Sequence, residues 1–171
     1  HLLNPHAQIR LEGFEVTNVP ERSFDAVIGN VPLGKFSIPD PIWNAQNHSI
    51  HNAFLLKSLH LTEPGGWVMA ITSAGTLDAE GRRSREAIAE VADLVGAVRL
   101  PTDAFKDVAG TSVVTDILMF RRLDGPRPAW DVPAWIETEQ LEFPTVDGGF
   151  ESVRVNAYFA EREHRDHVLS L

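Results

Sequence analysis

An open α/β sheet, mostly parallel, is the fold class that the sequence predicts, and three observations predict it. Short continuous apolar runs, of the kind that lies buried on both faces of a parallel sheet, occur around Ala26–Ile28 and Trp67–Ile71. Stretches with apolar residues at helical spacing separate the strand candidates. The resulting order of strand, helix, strand, helix, strand, strand is that of an α/β domain. A length of 171 residues, 43% of them hydrophobic and 23% charged, suits a folded core and not a disordered chain.

The elements follow in order. Residues 1–22 are irregular, broken by Pro5 and Pro20, with an extended candidate at Ile9–Val16. The segment Ser23–Asn30 holds the first strand, expected over 24–29 and buried on both faces, and it stops at Gly29. A loop rich in Pro and Gly runs to about Asn44. From Asn47 to about Leu61, apolar residues at Ile50, Phe54, Leu55, Leu59 and Leu61 set a helical rhythm, with Asn47 or Ser49 as the cap. Pro64-Gly65-Gly66 ends the helix and turns the chain. Trp67–Thr72 is the next strand. A second helix is expected over Arg82–Leu94, with Ile88, Val91 and Leu94 on one face. Strands follow at Val95–Leu100 and Val113–Arg121, the latter with Asp116 inside it. After Arg122 the composition shifts to a linker-like stretch with Gly125, Pro126, Pro128 and Pro133, which Trp130 and Trp135 are expected to anchor. Asp147-Gly148-Gly149 between Leu141–Val146 and Phe150–Val155 signals a hairpin. Residues 156–171 form either a short charged helix or a loose tail. The division expected is 1–123 and 124–171.

Composition excludes several functions. The absence of Cys rules out disulfides, thiolate catalysis and Cys-based metal sites. No apolar run approaches the roughly 20 residues that span a bilayer, and no signal segment opens the chain, so the expectation is a cytoplasmic location. Fifteen Lys and Arg against 24 Asp and Glu give a net charge of −9, a poor non-specific grip on phosphate backbones. The chain opens at His1 without Met, which suggests a processed product or a piece of something longer.

The sharpest motif is Asp25-Ala26-Val27-Ile28-Gly29-Asn30-Val31-Pro32-Leu33-Gly34. A strand delivers Asn30 to its carboxyl end, where open α/β sheets place their ligands. Pro32 restricts Val31 to extended geometry and fixes the direction of its carbonyl. Two fixed acceptors, the Asn30 side-chain oxygen and a backbone carbonyl, match the two N–H groups of an exocyclic amine. The plainer alternative is that Asn-x-Pro is a turn that ends a strand.

This segment resembles motif IV of the methyltransferases that modify N6 of adenine in DNA, usually Asn/Asp-Pro-Pro-Tyr/Phe at a strand end. The resemblance continues through His51–Leu59, Pro64-Gly65-Gly66 and Val68–Ser73, then Arg99–Lys106 and Gly110–Leu118. It is nearest to the Asn-Val-Pro-Phe subtype found in large methylase–helicase proteins of phages and plasmids, where Val155–Glu161 also has a counterpart. It covers about residues 9–165. It implies a Rossmann-like class I methyltransferase sheet, of which this chain supplies the later half, the strands numbered 4-5-7-6 in that family, followed by a small C-terminal β extension. It also implies S-adenosylmethionine as cofactor and a flipped adenine of DNA as target. Asn30 and the Val31 carbonyl would accept hydrogen bonds from N6, with Pro32 as spacer, so catalysis would rest on positioning. The family's stacking aromatic falls at Leu33, which has no π face, and Phe36 is the candidate substitute.

The cofactor half is expected to lie outside the chain. No strand here precedes a Gly-x-Gly turn, and only Glu12 and Phe14, within Glu12-Gly13-Phe14-Glu15, match the upstream motif that contacts the cofactor. A chain of this kind is expected to be inactive alone. Its first strand would present an apolar edge, to be covered by the N-terminal segment, a missing N-terminal half or a partner chain. Alternative functions are a methyltransferase acting on RNA or protein glutamine, and a degenerate module that binds DNA or a partner without turnover. Minor candidates complete the reading. His48-x-x-His51 has the spacing of two metal ligands but lacks a third, so no metal is expected. His164-x-x-His167 reads as solvated, and Ser73 lacks a hydrolase elbow. Arg82, Arg83 and Arg85 read as a solvated helix start or a phosphate contact, and Asp116 as a paired buried carboxylate.

Overall fold

The computed structural model describes residues 4–102, 104, 113–145 and 147–169. Four strands form one sheet in the order β1-β2-β4-β3: β1 (Phe24–Asn30), β2 (Thr62–Ser73), β3 (Ala92–Arg99) and β4 (Thr115–Arg122). β1 pairs parallel with β2, while β4 runs antiparallel to both β2 and β3. Three strands thus share one direction and β4 opposes them. This is the expected order 4-5-7-6. A separate antiparallel hairpin joins β5 (Thr138–Pro144) to β6 (Phe150–Asn156) around the Asp147-Gly148 turn, where Gly148 takes φ 83°.

Helix α1 (Ile50–Leu61) connects β1 to β2 and carries the core residues Leu55, Leu56 and Leu59. It begins later than its expected start. Asn47 takes φ 56° in the preceding turn, and Ser49 holds the N-cap position without a side-chain cap bond. Pro64-Gly65-Gly66 is not a terminator outside the sheet but a bulge within β2. Between paired positions β2 advances from Thr62 to Trp67 while β1 advances from Phe24 to Ala26. Gly65 supplies a φ of 75°, and a Cβ on Gly66 would stand 2.6 Å from the Asp25 carbonyl oxygen.

The second helix is shorter than its apolar rhythm suggests. A short α2 (Gly75–Asp78) precedes α3 (Arg83–Ala89), and Leu94 already belongs to β3. Ile88 of α3, Ala92 of β3 and Phe120 of β4 meet in the core, so the residues past Ala89 are buried by strand packing and not by one helical face. β1 corrects a larger expectation. It is an edge strand, mostly exposed, with Ile28 at 75% exposure. Among the described residues nothing pairs with its free edge. The N-terminal segment turns elsewhere, donating from Arg22 N to the His60 carbonyl (3.1 Å) and from Ser23 N to that of Leu61 (2.8 Å).

Residues beyond Leu123 contribute to the same core. Trp135 and Ile136, in a 3-10 turn, and Tyr158 and Phe159 of α4 (Ala157–Ala160) pack with Phe120 and Leu118. Trp130, by contrast, is 84% exposed and anchors nothing. The tail is not loose. After a 3-10 segment at Arg162–His167, the Leu169 amide donates to the Arg99 carbonyl at 3.0 Å.

Candidate functional site

Asn30 ends β1 opposite Ile71 of β2, and the Val31 amide donates to the Ile71 carbonyl at 3.1 Å. The Val31 side chain enters the core beside Val68 and Ala70. One backbone bond and one buried side chain therefore fix the peptide at this strand end. Among the described residues, neither the exposed Asn30 side chain nor the Val31 carbonyl has a hydrogen-bond partner. Pro32 is exposed, and Leu33 and Phe36 follow at 38% and 59% exposure. The Phe36 ring lies against Gly34: a Cβ there would stand 2.5 Å from the ring and 3.3 Å from Ile50 Cγ2. The structure thus gathers Asn30 to Phe36 at one sheet end with two apolar side chains open to solvent.

The loop that follows is pinned by His51, Asn44 and Asp40, a role that the sequence does not announce for any of them. His51, buried on the first turn of α1, places Nδ1 3.0 Å from the Gly34 carbonyl and Nε2 3.0 Å from Ser49 Oγ. Burial holds its pKa below the ordinary value, against the Gly34 contact that favours the charged form. The neutral tautomer then donates from Nδ1 and accepts at Nε2. The Ile50 amide donates to the Phe36 carbonyl at 2.8 Å. Further along, Asn44 donates to the Ile38 (2.9 Å) and His48 (3.1 Å) carbonyls and accepts from the His48 amide (2.8 Å). Asp40 accepts from the amides of Ile42 and Trp43 and, at 3.2 Å, from Lys57 Nζ. Burial works against the Asp40 charge, but these bonds outweigh it and hold its pKa below the usual carboxylate value. The signal for this pair was a lone Lys57 within the apolar stretch Ala53–Leu59, which must find a buried partner.

Lys57 also accounts for the N-terminal segment. Its ammonium donates to the Glu15 carbonyl at 3.0 Å and lies 5.2 Å from the Phe14 ring centroid, while Phe14 packs on Phe54 at 5.0 Å. Phe14 is therefore packing for α1. Glu12 points to Arg10 at 3.4 Å on the surface. Neither residue contacts Asn30 to Leu33 by hydrogen bond or ion pair. Glu12 is thus engaged with Arg10, and Phe14 with Lys57 and Phe54.

The other candidates resolve as structural groups. His48 Nδ1 lies 2.8 Å from Ser84 Oγ, and its pKa is lowered by burial and by Arg83. With His51 bound to Gly34 and Ser49, the two histidines do not converge as ligands. Arg85 is buried, donating to the carbonyls of Ile136 (2.6 Å) and Ala79 (2.8 Å). Arg82 pairs with Glu86 and Glu137, and Arg83 bonds to the Gln46 carbonyl, so the basic cluster is engaged within the fold. Ser73 Oγ accepts from the Gly75 amide at 3.1 Å. His164 is no solvated side chain: its ring stacks on Tyr158 at 3.9 Å, and His167 Nδ1 lies 3.1 Å from the Tyr158 hydroxyl. Asp116 is the paired carboxylate expected, accepting from Arg99 Nε (2.9 Å) and Nη2 (3.0 Å). Of the Arg99–Lys106 and Gly110–Leu118 segments, residues 103, 105, 106 and 110–112 lie outside the described residues.

Comparison with known proteins adds the following. The chain is 33% identical over 128 residues to the defense against restriction protein B of Escherichia phage P1, covering 71% of this chain. It spans only 6% of that relative's length. A Listeria monocytogenes protein described as a class I S-adenosylmethionine-dependent methyltransferase matches in structure with TM-score 0.50 and 22% identity, over 68% of this chain and 37% of its own. A modification subunit described as part of a type I restriction enzyme from Vibrio vulnificus matches at 24% identity, over 60% of this chain and 23% of its own, with TM-score 0.48. No family model matches the chain. The fold is a partial, Rossmann-like class I methyltransferase sheet. Among the described residues, no helix is long and apolar enough to cross a membrane.

Proposed function

We propose that this chain is the target-amine half of an S-adenosylmethionine-dependent DNA methyltransferase acting on N6 of adenine, of restriction-modification or mobile-element type. The observation that carries the reading is the pair of free acceptors at the carboxyl end of β1. Among the described residues, the Asn30 side chain and the Val31 carbonyl are unpartnered, while the peptide between them is fixed through the Val31 amide and side chain. An amine with two N–H groups satisfies both acceptors. Their fixed direction turns the nitrogen lone pair outward without a strong base. Leu33 and Phe36 are the apolar surfaces available to a flipped base.

Cofactor-binding residues in this proposal come from outside the chain, beside the free edge of β1, and the chain alone is inactive. The methyl donor supplies the transferred group; Asn30, Val31, Pro32 and Leu33 bind and orient the acceptor. The relative from phage P1 supports a place among proteins of mobile elements, and its small covered share fits a segment that works within a longer polypeptide.

A second reading is favoured by Leu33. A side chain without a π face at the stacking position suits a module that binds DNA or a partner without turnover. The test is transfer of labelled methyl from S-adenosylmethionine to adenine in DNA by the native polypeptide that carries this segment. Transfer lost in Asn30→Ala supports the proposal. DNA binding without transfer supports the second reading. Transfer to RNA or to protein glutamine, and not to DNA, overturns the substrate.

A further inference from the structure

The segment after Asn30 is held more firmly than its own side chains require. Pro32, Leu33, Lys35 and Phe36 are exposed, and no side chain of residues 32–36 enters the hydrophobic core. The segment is tied at its start by the Val31 amide on the Ile71 carbonyl. At its end the Ile50 amide donates to the Phe36 carbonyl, and Ser37 and Ser49 form an antiparallel bridge. Between those ties, among the described residues, residues 32–35 make a single hydrogen bond, from His51 Nδ1 to the Gly34 carbonyl at 3.0 Å. His51 is 7% exposed and sits on α1. A buried imidazole thus fixes a stretch of surface that contributes nothing to the core.

Both imidazole nitrogens are engaged. A carbonyl only accepts, so Nδ1 carries the proton, and the Nε2 lone pair accepts from the Ser49 hydroxyl at 3.0 Å. Ser49 therefore selects the tautomer, since the other one sets a lone pair against the Gly34 carbonyl. Its hydroxyl is available for this because Ser49, at the N-cap of α1, makes no side-chain cap bond. Gly34 is also the residue against which the Phe36 ring lies, beside Ile50. Fixing the Gly34 carbonyl fixes the two exposed apolar side chains that flank it, Leu33 and Phe36, relative to Asn30.

We propose that His51, with its tautomer set by Ser49, is the positioning residue of the amine site: through Gly34 it holds Leu33 and Phe36 at the distance from Asn30 that a base requires. The inference rests on the reading in which Asn30 and the Val31 carbonyl receive the amine. His51 touches neither base nor methyl donor in this role. It acts through the backbone, where a displacement of about 1 Å is enough to cost about a hundredfold in rate.

Methyl transfer to DNA by the native polypeptide, measured well below the melting temperature of each variant, provides the test. His51→Leu is expected to lower kcat about tenfold or more while the KM for S-adenosylmethionine stays as in wild type, a split that general loss of stability does not produce. His51→Asn, whose amide nitrogen stands near the place of Nδ1, is expected to recover most of the rate. Ser49→Ala keeps the imidazole and removes no cap bond, so it covers the case in which His51→Leu does not fold. Its expected effect is in the same direction and smaller. Lys35 supplies a second readout in the 171-residue chain, since it is exposed within the pinned segment. Trypsin is expected to cut after Lys35 sooner in His51→Leu and Ser49→Ala than in wild type or His51→Asn. Faster cleavage with kcat unchanged overturns the inference, because the pin is then structural only. A lower kcat without faster cleavage, or without recovery in His51→Asn, overturns it too, because His51 then does not act through Gly34. Absence of transfer by the wild-type polypeptide overturns the amine reading and this inference with it. Transfer by wild type that is equal in His51→Leu and Ser49→Ala overturns the inference alone.

Discussion

Asn30 and Asn156 both end strands, and their surroundings are opposite. Asn30 closes the edge strand β1 with an exposed side chain that has no hydrogen-bond partner among the described residues. Asn156 closes β6 fully buried. Its Nδ2 donates to the carbonyls of Leu77 (2.9 Å) and Trp135 (2.8 Å), and its Oδ1 accepts from the Tyr158 amide at 3.0 Å. Its own amide donates to Asp78 Oδ1 at 2.8 Å. Asp78 in turn meets Arg99 at 2.7 Å, and Arg99 pairs with Asp116 beside Thr72 of β2. One region has spent its polar groups on holding the C-terminal segment to the sheet. The other keeps its acceptors free, among the described residues, at a position that the Val31 amide ties to Ile71. Saturation marks Asn156 as a structural residue, and it is the missing partner at Asn30 on which the proposed amine site rests.

The largest effect is expected where saturation is broken at a charge. Arg99→Met leaves Asp116 buried without a counter-ion and Asp78 without its partner. Such a change costs about 3–5 kcal/mol, or about 10 °C in Tm for a chain of this size. The hydrogen bonds and charges of both carboxylates outweigh burial and raise the Arg99 pKa, so the guanidinium stays charged throughout. Arg99→Met combined with Asp116→Leu is expected to recover most of that loss. Thermal melts of the two variants decide the point, and equal melting temperatures would mean that the pair contributes nothing through its charge.

Next in size is Asn156→Ala. It strands two buried carbonyls and an amide, at about 2 kcal/mol or more. Limited proteolysis should then cut within the segment after Leu123 sooner than in wild type. A melt unchanged in both observables would make the contrast between the two asparagines one of exposure only.

The sequence disclosed these two regions unequally, for physical reasons. Asn30 was legible because its signal is local: a strand, then Asn, then a Pro that fixes the preceding residue. The sheet order followed from motif order, and the hairpin from Asp147-Gly148. Asn156, Arg99 and Lys57 act through partners 17 to 79 residues away, which no local pattern announces. The exposure of β1 was misread for a related reason. Its Val27-Ile28 run is apolar, but which neighbours cover a strand is a property of the sheet. Trp130 and Trp135 show the same limit, since only the contact of Trp135 with Phe120, 6.1 Å between ring centroids, distinguishes them.

A smaller effect separates the regions by pH. His48 and His51, which pin the loop after Asn30, have pKa values lowered by burial, as does His60. The unfolded chain therefore binds more protons near pH 6, so their contribution is complete above the unfolded pKa and is lost as pH falls through the folded values. Tm is expected to fall between about pH 7.5 and about pH 5. His51→Gln, which keeps an amide donor for the Gly34 carbonyl, should flatten part of that slope. A slope identical in His51→Gln would show that the loop is held without the neutral imidazole.

The smallest expected stability change belongs to Asn30 itself. Its side chain makes no hydrogen bond among the described residues and lies in solvent, so Asn30→Ala removes no contact that folding supplies. The expected change in stability is within about 0.5 kcal/mol, the range of surface substitutions away from special features. The same variant is expected to abolish methyl transfer by the native polypeptide, because the only group lost is an acceptor for the amine. These two outcomes together distinguish the readings of Asn-x-Pro. A turn that merely ends a strand would lose stability through a broken Asx contact and leave the chemistry alone. A ligand-holding asparagine loses the chemistry and leaves the melt where it was. Should Asn30→Ala melt several degrees lower with transfer intact, Asn30 would join Asn156 as a structural residue, and the free acceptors at the end of β1 would have to be assigned to the Val31 carbonyl alone.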